Sequence, residues 1–315
     1  MDILIGTNIH NDIHLFSYCI VSVKSNALLE INIPLNYVHL PYLIGNTIII
    51  ILLIVIFYRK IENKYYITKV NNYQNYINDV NDFQKLKKVV YTVLLGKYDN
   101  IPPIYKEKGY DYFMFTDINV SDINNINWTI IPIEDDIKKL NISIYKKQRY
   151  YKTHPHLYFI NYDISIYIDT NIEIKGNLDE FLLKILAPNI SIYPLEHPDR
   201  NSIYNELDAV VVALKDSKAN VDIVRNRYNK LNYKYDNGLS ENCLIVRKHN
   251  DFNCINFMKQ WYYEIKNFSH RDQLSFCYVL WKMNNKYVKY IPKNFIYKYF
   301  KQNLFHLKFV AFNNI

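Results

Sequence analysis

The sequence predicts an α/β domain with a mostly parallel sheet flanked by helices, preceded by one transmembrane helix. Three observations predict it. Short apolar, β-branched runs stop abruptly at polar turn residues, as buried strands do. Stretches with helical spacing alternate with those runs, the pattern of a parallel sheet covered by helices. Ahead of both, residues 31–58 contain no Asp, Glu, Lys or Arg.

The first strand of the domain is VVYTVLL at 89–95, stopped by Gly96. YFMF at 112–115 is the second and ends at Thr116-Asp117. WTIIPI at 128–133 is the third, an edge strand because Pro132 has no N–H for a ladder. Mixed helical spacing follows over 140–159. ISIYI at 164–168 runs directly into Asp169, and IEI at 172–174 comes next. Asn177 and Glu180 form a capping-box pattern at the head of NLDEFLLKIL. ISIY at 190–193 and LIV at 244–246 are further strands. Helices are predicted over 202–214, 221–231, 254–267 and 272–282.

The charge-free run has the core YLIGNTIIIILLIVIFY, residues 42–58. A spanning helix needs about 20 mainly apolar residues. Residues 38–58 are therefore predicted to cross a membrane once, with Tyr42, Phe57 and Tyr58 at the interfaces. Residues 1–37 read as an N-terminal tail and 59–86, polar and Asn-rich, as a stem. The α/β domain covers 87–295 and leaves a C-terminal tail at 296–315. Before the helix Lys24 stands against Asp2, Asp12 and Glu30. After it Arg59, Lys60, Lys64 and Lys69 stand against Glu62, which by the positive-inside rule places the domain in the cytosol.

A formal charge of +8 suits acidic partners such as phosphates. The Lys residues and the 31 Tyr are scattered, with no compact basic run and no aromatic RNA-binding motif, so nucleic acid is not an expected partner. Cys19, Cys243, Cys254 and Cys277 form no CxxC pair, which argues against a cysteine zinc site. Three of them fall in the domain, an odd number and a poor disulfide framework.

Ligands of parallel sheets bind at the carboxyl ends of the strands. Polar residues collect there: Asp99 after the first strand, Asp117 after the second, and Asp169-Thr170-Asn171 after ISIYI. Asp169 and Asn171 either close a simple Asx-turn or offer one charged and one neutral oxygen to a divalent ion. Mg²⁺ or Mn²⁺ takes one or two protein carboxylates and completes its shell with substrate phosphate. Arg149 and Lys152, three apart in KKQRYYKTHPH, share one helical face. That face is either solvated or placed to hold a diphosphate.

Seven blocks occur in order: VVYTVLLGKYDN, YDYFMFTD, RYYKTHPH, YDISIYIDTNIEIKGNLDEF, EHPDRNSIYNE, NGLSENCLIVRKHN and SHRDQLSFCYVLW. Through them, over residues 89–292, the chain resembles the glycosyltransferase-like domain family shared by plant turgor-regulation-defect and mucilage-related proteins. The resemblance implies a GT-A-like nucleotide-sugar fold. The family's acidic strand-end block maps on Asp169 and Asn171. Many GT-A enzymes carry a second aspartate where Asn171 stands, and one charge fewer weakens the expected metal affinity. The basic block maps on Arg149, Lys152 and His156, and the later blocks on His197, Arg200, Glu241, Arg247, His249, Arg271, Asp272 and Gln273.

The implied activity is that of a membrane-anchored glycosyltransferase. It moves a sugar from a nucleotide-diphosphate donor to a hydroxyl of a glycan, protein or lipid acceptor, assisted by Mn²⁺ or Mg²⁺. Asp272 and Arg271 are the expected catalytic pair, although Asp272 also begins a helix and serves equally as an N-cap. Asp99, Asp117, Arg149, Lys152, His156, Arg200, Glu241 and Gln273 are the expected substrate-binding residues. Asp169 and Asn171 are the expected metal ligands, with His197 or His249 as a third. Membrane-anchored transferases commonly face the Golgi or ER lumen, against the direction of the flanking charges. Two rivals are a metal-dependent hydrolase acting on membrane lipid and a catalytically inactive nucleotide-sugar-binding or scaffold domain. The first wants a histidine-rich metal site, whereas the nine histidines here are dispersed.

Overall fold

The computed structural model describes residues 2–8, 16–23, 27–34, 80–96, 99, 101–104, 106–118, 127–234, 238–284 and 286–303. The expected membrane helix at 38–58 and most of the stem lie outside them. Among the described residues no helix is long and apolar enough to cross a membrane. The chain divides into two compact units, Met1–Tyr65 and Tyr66–Ile315.

The first unit holds three strands, β1 (Asp2–Asn8), β2 (Phe16–Val23) and β3 (Ala27–Pro34), in one antiparallel sheet of that order. These residues were expected to form only a tail. FSYCIVSV and ALLEINIP are short apolar, β-branched runs separated by Lys24-Ser25-Asn26, which is hairpin spacing.

In the second unit α1 (Val80–Lys85) leads into β4 (Lys88–Leu94), β5 (Tyr110–Thr116) and β6 (Thr129–Pro132). Then come α2 (Asp135–Lys139), α3 (Ile144–Thr153), α4 (Pro155–Tyr158), β7 (Ile164–Ile168) and β8 (Ile172–Ile174). After α5 (Leu178–Ile185) and β9 (Ile192–Glu196) follow α6 (Ile203–Val212), α7 (Lys218–Lys230) and β10 (Ser240–Arg247). The described chain ends with α8 (Phe252–Asn267), α9 (Gln273–Lys282), α10 (Asn294–Tyr299) and β11 (Phe300–Gln302).

Six strands form the main sheet in the order β6-β5-β4-β7-β10-β9. The pairs β4/β5, β4/β7 and β5/β6 are parallel, while β10 runs antiparallel to both of its neighbours. β6 lies at one edge, where Pro132 is tolerated. Every residue of β4 and β7 is buried, because apolar layers cover both faces. Alternation along β4 divides them: Val89, Tyr91 and Val93 join Phe115, Tyr167 and Trp261 on one side. Val90 and Leu94 join Met114, Ile166 and Leu182 on the other.

IEI at 172–174 does not join this sheet. It pairs with β11, within what was expected as a C-terminal tail, and Phe300 buries itself at that pairing. Since β4, β5 and β7 are parallel, Asp99, Asp117 and Asp169 all follow strand ends on one side of the sheet. The antiparallel β10 begins on that side with Ser240 and Glu241 and finishes on the other with Arg247.

Candidate active site

The carboxyl ends of β4, β5 and β7 set the floor of the site. Asp117 accepts the Gly96 N–H on both carboxylate oxygens, 3.0 Å each, and so ties the β5 end to the β4 end. Gly96 adopts φ +72°, and a Cβ there would meet Ile144 Cδ1 at 2.7 Å. Asp99 accepts from Thr170 Oγ1 at 2.8 Å, which draws the loop after β4 onto the turn after β7. Asp117 and Asp99 therefore both act in loop geometry.

α3 crosses above this floor, with Ser143 capping its start. Its Arg149 and Lys152 are buried and point to the same partner. Lys152 Nζ donates to Asp272 Oδ2 at 2.6 Å, and Arg149 Nε lies 3.0 Å from the same oxygen. Lys152 also lies 3.6 Å from Asp169 Oδ1 and 4.7 Å above the Tyr167 ring. The Tyr167 hydroxyl donates to Asp169 Oδ1 at 2.6 Å.

Asp272 occupies the N-cap position of α9, yet its side chain makes no cap hydrogen bond. The carboxylate is spent on the two cations instead, while its backbone carbonyl accepts from Trp261 Nε1. Burial would push the Asp272 carboxyl up. The Arg149, Lys152 and Arg271 charges, with the Lys152 hydrogen bond, outweigh it and hold the group below the usual carboxylate range.

Glu241 faces a different balance. Burial first, and then the negative charges of Asp169, Asp272 and Glu206, raise its carboxyl to about 7. Gln273 Nε2 donates to its Oε2 at 3.2 Å, and Arg271 Nη2 donates to Gln273 Oε1 at 3.2 Å. His197 Nε2 lies 3.6 Å from the same Glu241 oxygen. His197 Nδ1 accepts the backbone N–H groups of Asp199 and Arg200, while Arg200 Nε donates to Glu206 at 2.6 Å. Burial lowers the His197 ring's proton affinity below its ordinary value.

Two expected site residues lie elsewhere. His249 lies in the turn after the far end of β10, whose stretch from Glu241 to Arg247 alone covers about 20 Å. Its Nε2 lies 2.8 Å from the Phe159 carbonyl, so it is no third ligand beside Asp169. His156 belongs with it and with His154, 5.5 Å away between ring centres, not with Arg149 and Lys152. Arg247 is likewise internal, donating to the Lys152 carbonyl and to the Tyr91 hydroxyl. Sequence reasoning missed Tyr167, and it placed Thr170 among the strand-end polar residues without giving it a role. Tyr167 sits two before Asp169 and so on the same strand face, but in a chain with 31 Tyr that spacing carries little signal.

The donor set fits a hard divalent ion at Asp169 and Asn171. Asn171 donates through Nδ2 to the Asn303 carbonyl, and its Oδ1 is buried with no hydrogen-bond partner. A bare buried amide oxygen two residues after a carboxylate is a donor of the kind such an ion uses, with water and phosphate completing the shell. Among the described residues no group of three or more His, Cys, Asp or Glu is placed to hold a metal alone.

This is an α/β domain of glycosyltransferase-like type, with its charged site at the carboxyl ends of a mostly parallel sheet. The family model for the TOD1/MUCI70 glycosyltransferase-like domain matches residues 78–307, and the chain belongs to that family. No curated protein matches it. Among solved structures, the apo bifunctional glycosyltransferase WbbM is 12% identical with a TM-score of 0.41, over 66% of this chain and 39% of WbbM. The present chain thus spans well under half of that protein. Apo mouse xyloside xylosyltransferase 1 is 8% identical with a TM-score of 0.39, over 65% of this chain and 85% of that one.

Proposed function

We propose that the domain transfers a sugar from a nucleotide-diphosphate donor to an acceptor hydroxyl on a GT-A-like scaffold. One observation carries the reading: in a chain of this family, Lys152 bridges Asp272 and Asp169 at the strand ends. Fixed cations buried beside a strand-end carboxylate suit a departing diphosphate. A divalent ion held by Asp169 and Asn171 would add Lewis-acid charge against the same group.

Asp272 then has the task of holding Arg149 and Lys152 in place, since a carboxylate kept ionised by two cations is a weak proton acceptor. Glu241 is the carboxyl whose proton affinity suits taking the acceptor proton. Tyr167 orients Asp169, and Thr170 holds Asp99. The charge-free run at 38–58 supports a membrane anchor for this domain.

The test is a titration of UDP-sugars and GDP-sugars by thermal shift, with and without Mn²⁺. Metal-dependent stabilisation is expected, and Asp169→Ala should remove it. If no nucleotide or nucleotide sugar stabilises the protein in either condition, the transferase reading fails.

A further inference from the structure

At the start of α3 and in the loop before α9 two rings stack on one another, a pair that the proposed chemistry does not use. Tyr145, in the first turn of α3, stacks on His270 with ring centres 4.8 Å apart and planes 22° apart. Tyr145 stays 41% exposed. Its partner is fixed from behind: Asp216 Oδ2 lies 3.6 Å from His270 Nδ1 and accepts from Ser269 Oγ at 2.5 Å. Ser269 Oγ in turn accepts the Arg271 N–H at 3.1 Å. His270 therefore belongs to the same short loop that delivers Arg271 and Asp272.

A second, independent feature lies in that loop. Arg271 Nη2 donates to Gln273, but its Nε–H is buried and has no hydrogen-bond partner. A buried unpaired donor is costly unless a ligand oxygen meets it. Ile144, next to Tyr145 in the chain, is also exposed and adds apolar surface there.

A ring stacked on His270, with an unpaired N–H donor on the next residue, Arg271, has a chemical complement. A pyranose ring offers polarised C–H groups on one face, which suit the negative face of an aromatic ring. Its hydroxyls lie around the edge, where a fixed donor reaches them. A lipid chain has no acceptor for Arg271, and a peptide has no comparably flat polar-edged face.

Resting on the transferase reading above, we infer that Tyr145, stacked on His270, and the Arg271 Nε–H form a subsite for a pyranose ring of a glycan acceptor. Binding of three neutral tetrasaccharides, cellotetraose, xylotetraose and β-1,4-galactotetraose, is measured by saturation-transfer NMR on the full chain. UDP binding is measured separately on the same samples. At least one tetrasaccharide should bind. Tyr145→Ala should weaken it about tenfold, while Tyr145→Phe and Tyr145→Trp stay within about threefold. UDP affinity should be unchanged in all three variants. The subsite is refuted if no tetrasaccharide binds, if Tyr145→Ala and Tyr145→Trp both bind like the wild type, or if the loss falls on UDP instead. The UDP arm separates this failure from failure of the transferase reading, which loses nucleotide binding in the unsubstituted protein.

Discussion

Arg149 and Lys152 on α3, and His154 and His156 just beyond its end, are similarly buried but in opposite electrostatic states. The cations sit on Asp272, whose carboxylate they keep ionised. The histidines sit among rings. His154 stacks on Tyr150 at 4.4 Å and meets Tyr262 edge-on at 5.1 Å. Neither ring nitrogen of His156 has a hydrogen-bond partner. Burial, with nearby positive charges adding to it, lowers His154 to about 4 and His156 to about 3. One contiguous block thus builds a charged site and a neutral interior. What separates them is the presence of a counter-charge from another element, not the type or spacing of the residues.

The most forceful way to break this comparison is to remove the counter-charge. Asp272→Ala removes the carboxylate that Arg149 and Lys152 share at 3.0 and 2.6 Å. The expected loss is about 3–5 kcal/mol of folding stability, read from urea unfolding. Raising the salt concentration should recover little of it, since buried charge is weakly screened. A loss below about 1 kcal/mol would mean that Arg149 and Lys152 are solvated after all.

The histidine side is tested by pH. Their folded-state values lie below the ordinary 6.5, so the neutral rings contribute their full stability above that pH. The contribution falls as pH drops through the window from about 6.5 toward 4 and 3, because the unfolded chain binds the protons first. Between pH 6.5 and 5 His156 alone should account for up to about 2 kcal/mol. His156→Leu should flatten that part of the stability profile, measured by urea unfolding at each pH. An unchanged slope would show that His156 is not buried as a neutral ring. The same pH range probes the site itself: with Glu241 at about 7, kcat/KM should fall on its acid side. Glu241→Gln should lower activity and remove that limb.

These contrasts also mark where sequence reasoning stops. The strands at 89–95, 112–115 and 164–168 were legible because burial on both faces demands unbroken apolar runs, and the runs end where the chain leaves the sheet. Asn177 was legible as a cap, and it accepts the Glu180 N–H at 2.6 Å. Glu180 does not reach back to complete a capping box. It takes Lys184, Lys298 and Tyr299 instead, two of which come from the end of the chain. The polar residues after the strands marked the end of the sheet where the Lys152, Asp169 and Asp272 charges gather. Asp272 was legible as a helix start, but its pairing with Lys152 spans 120 residues and leaves no local trace. The direction of β10 was equally hidden, since periodicity is the same for either direction. That direction decides that Glu241 enters the site and His249 does not.

The smallest expected effect sharpens the comparison from the opposite extreme. Lys138 and Asp135, on the short helix before α3, pair at 3.0 Å, a separation no longer than that of Arg149 and Asp272. Their side chains are 48% and 76% exposed, whereas those of Arg149 and Asp272 are 9% and 4% exposed. Distance alone would rank the two pairs as equals. Water around the first pair screens the attraction and leaves both ions well solvated when the partner is lost. Lys138→Ala should therefore change stability by no more than about 0.5 kcal/mol. Adding salt to the wild type should produce a change of the same small size. If Lys138→Ala instead cost as much as Asp272→Ala, separation rather than desolvation would be setting the energy, and the contrast between the site and the surface would collapse.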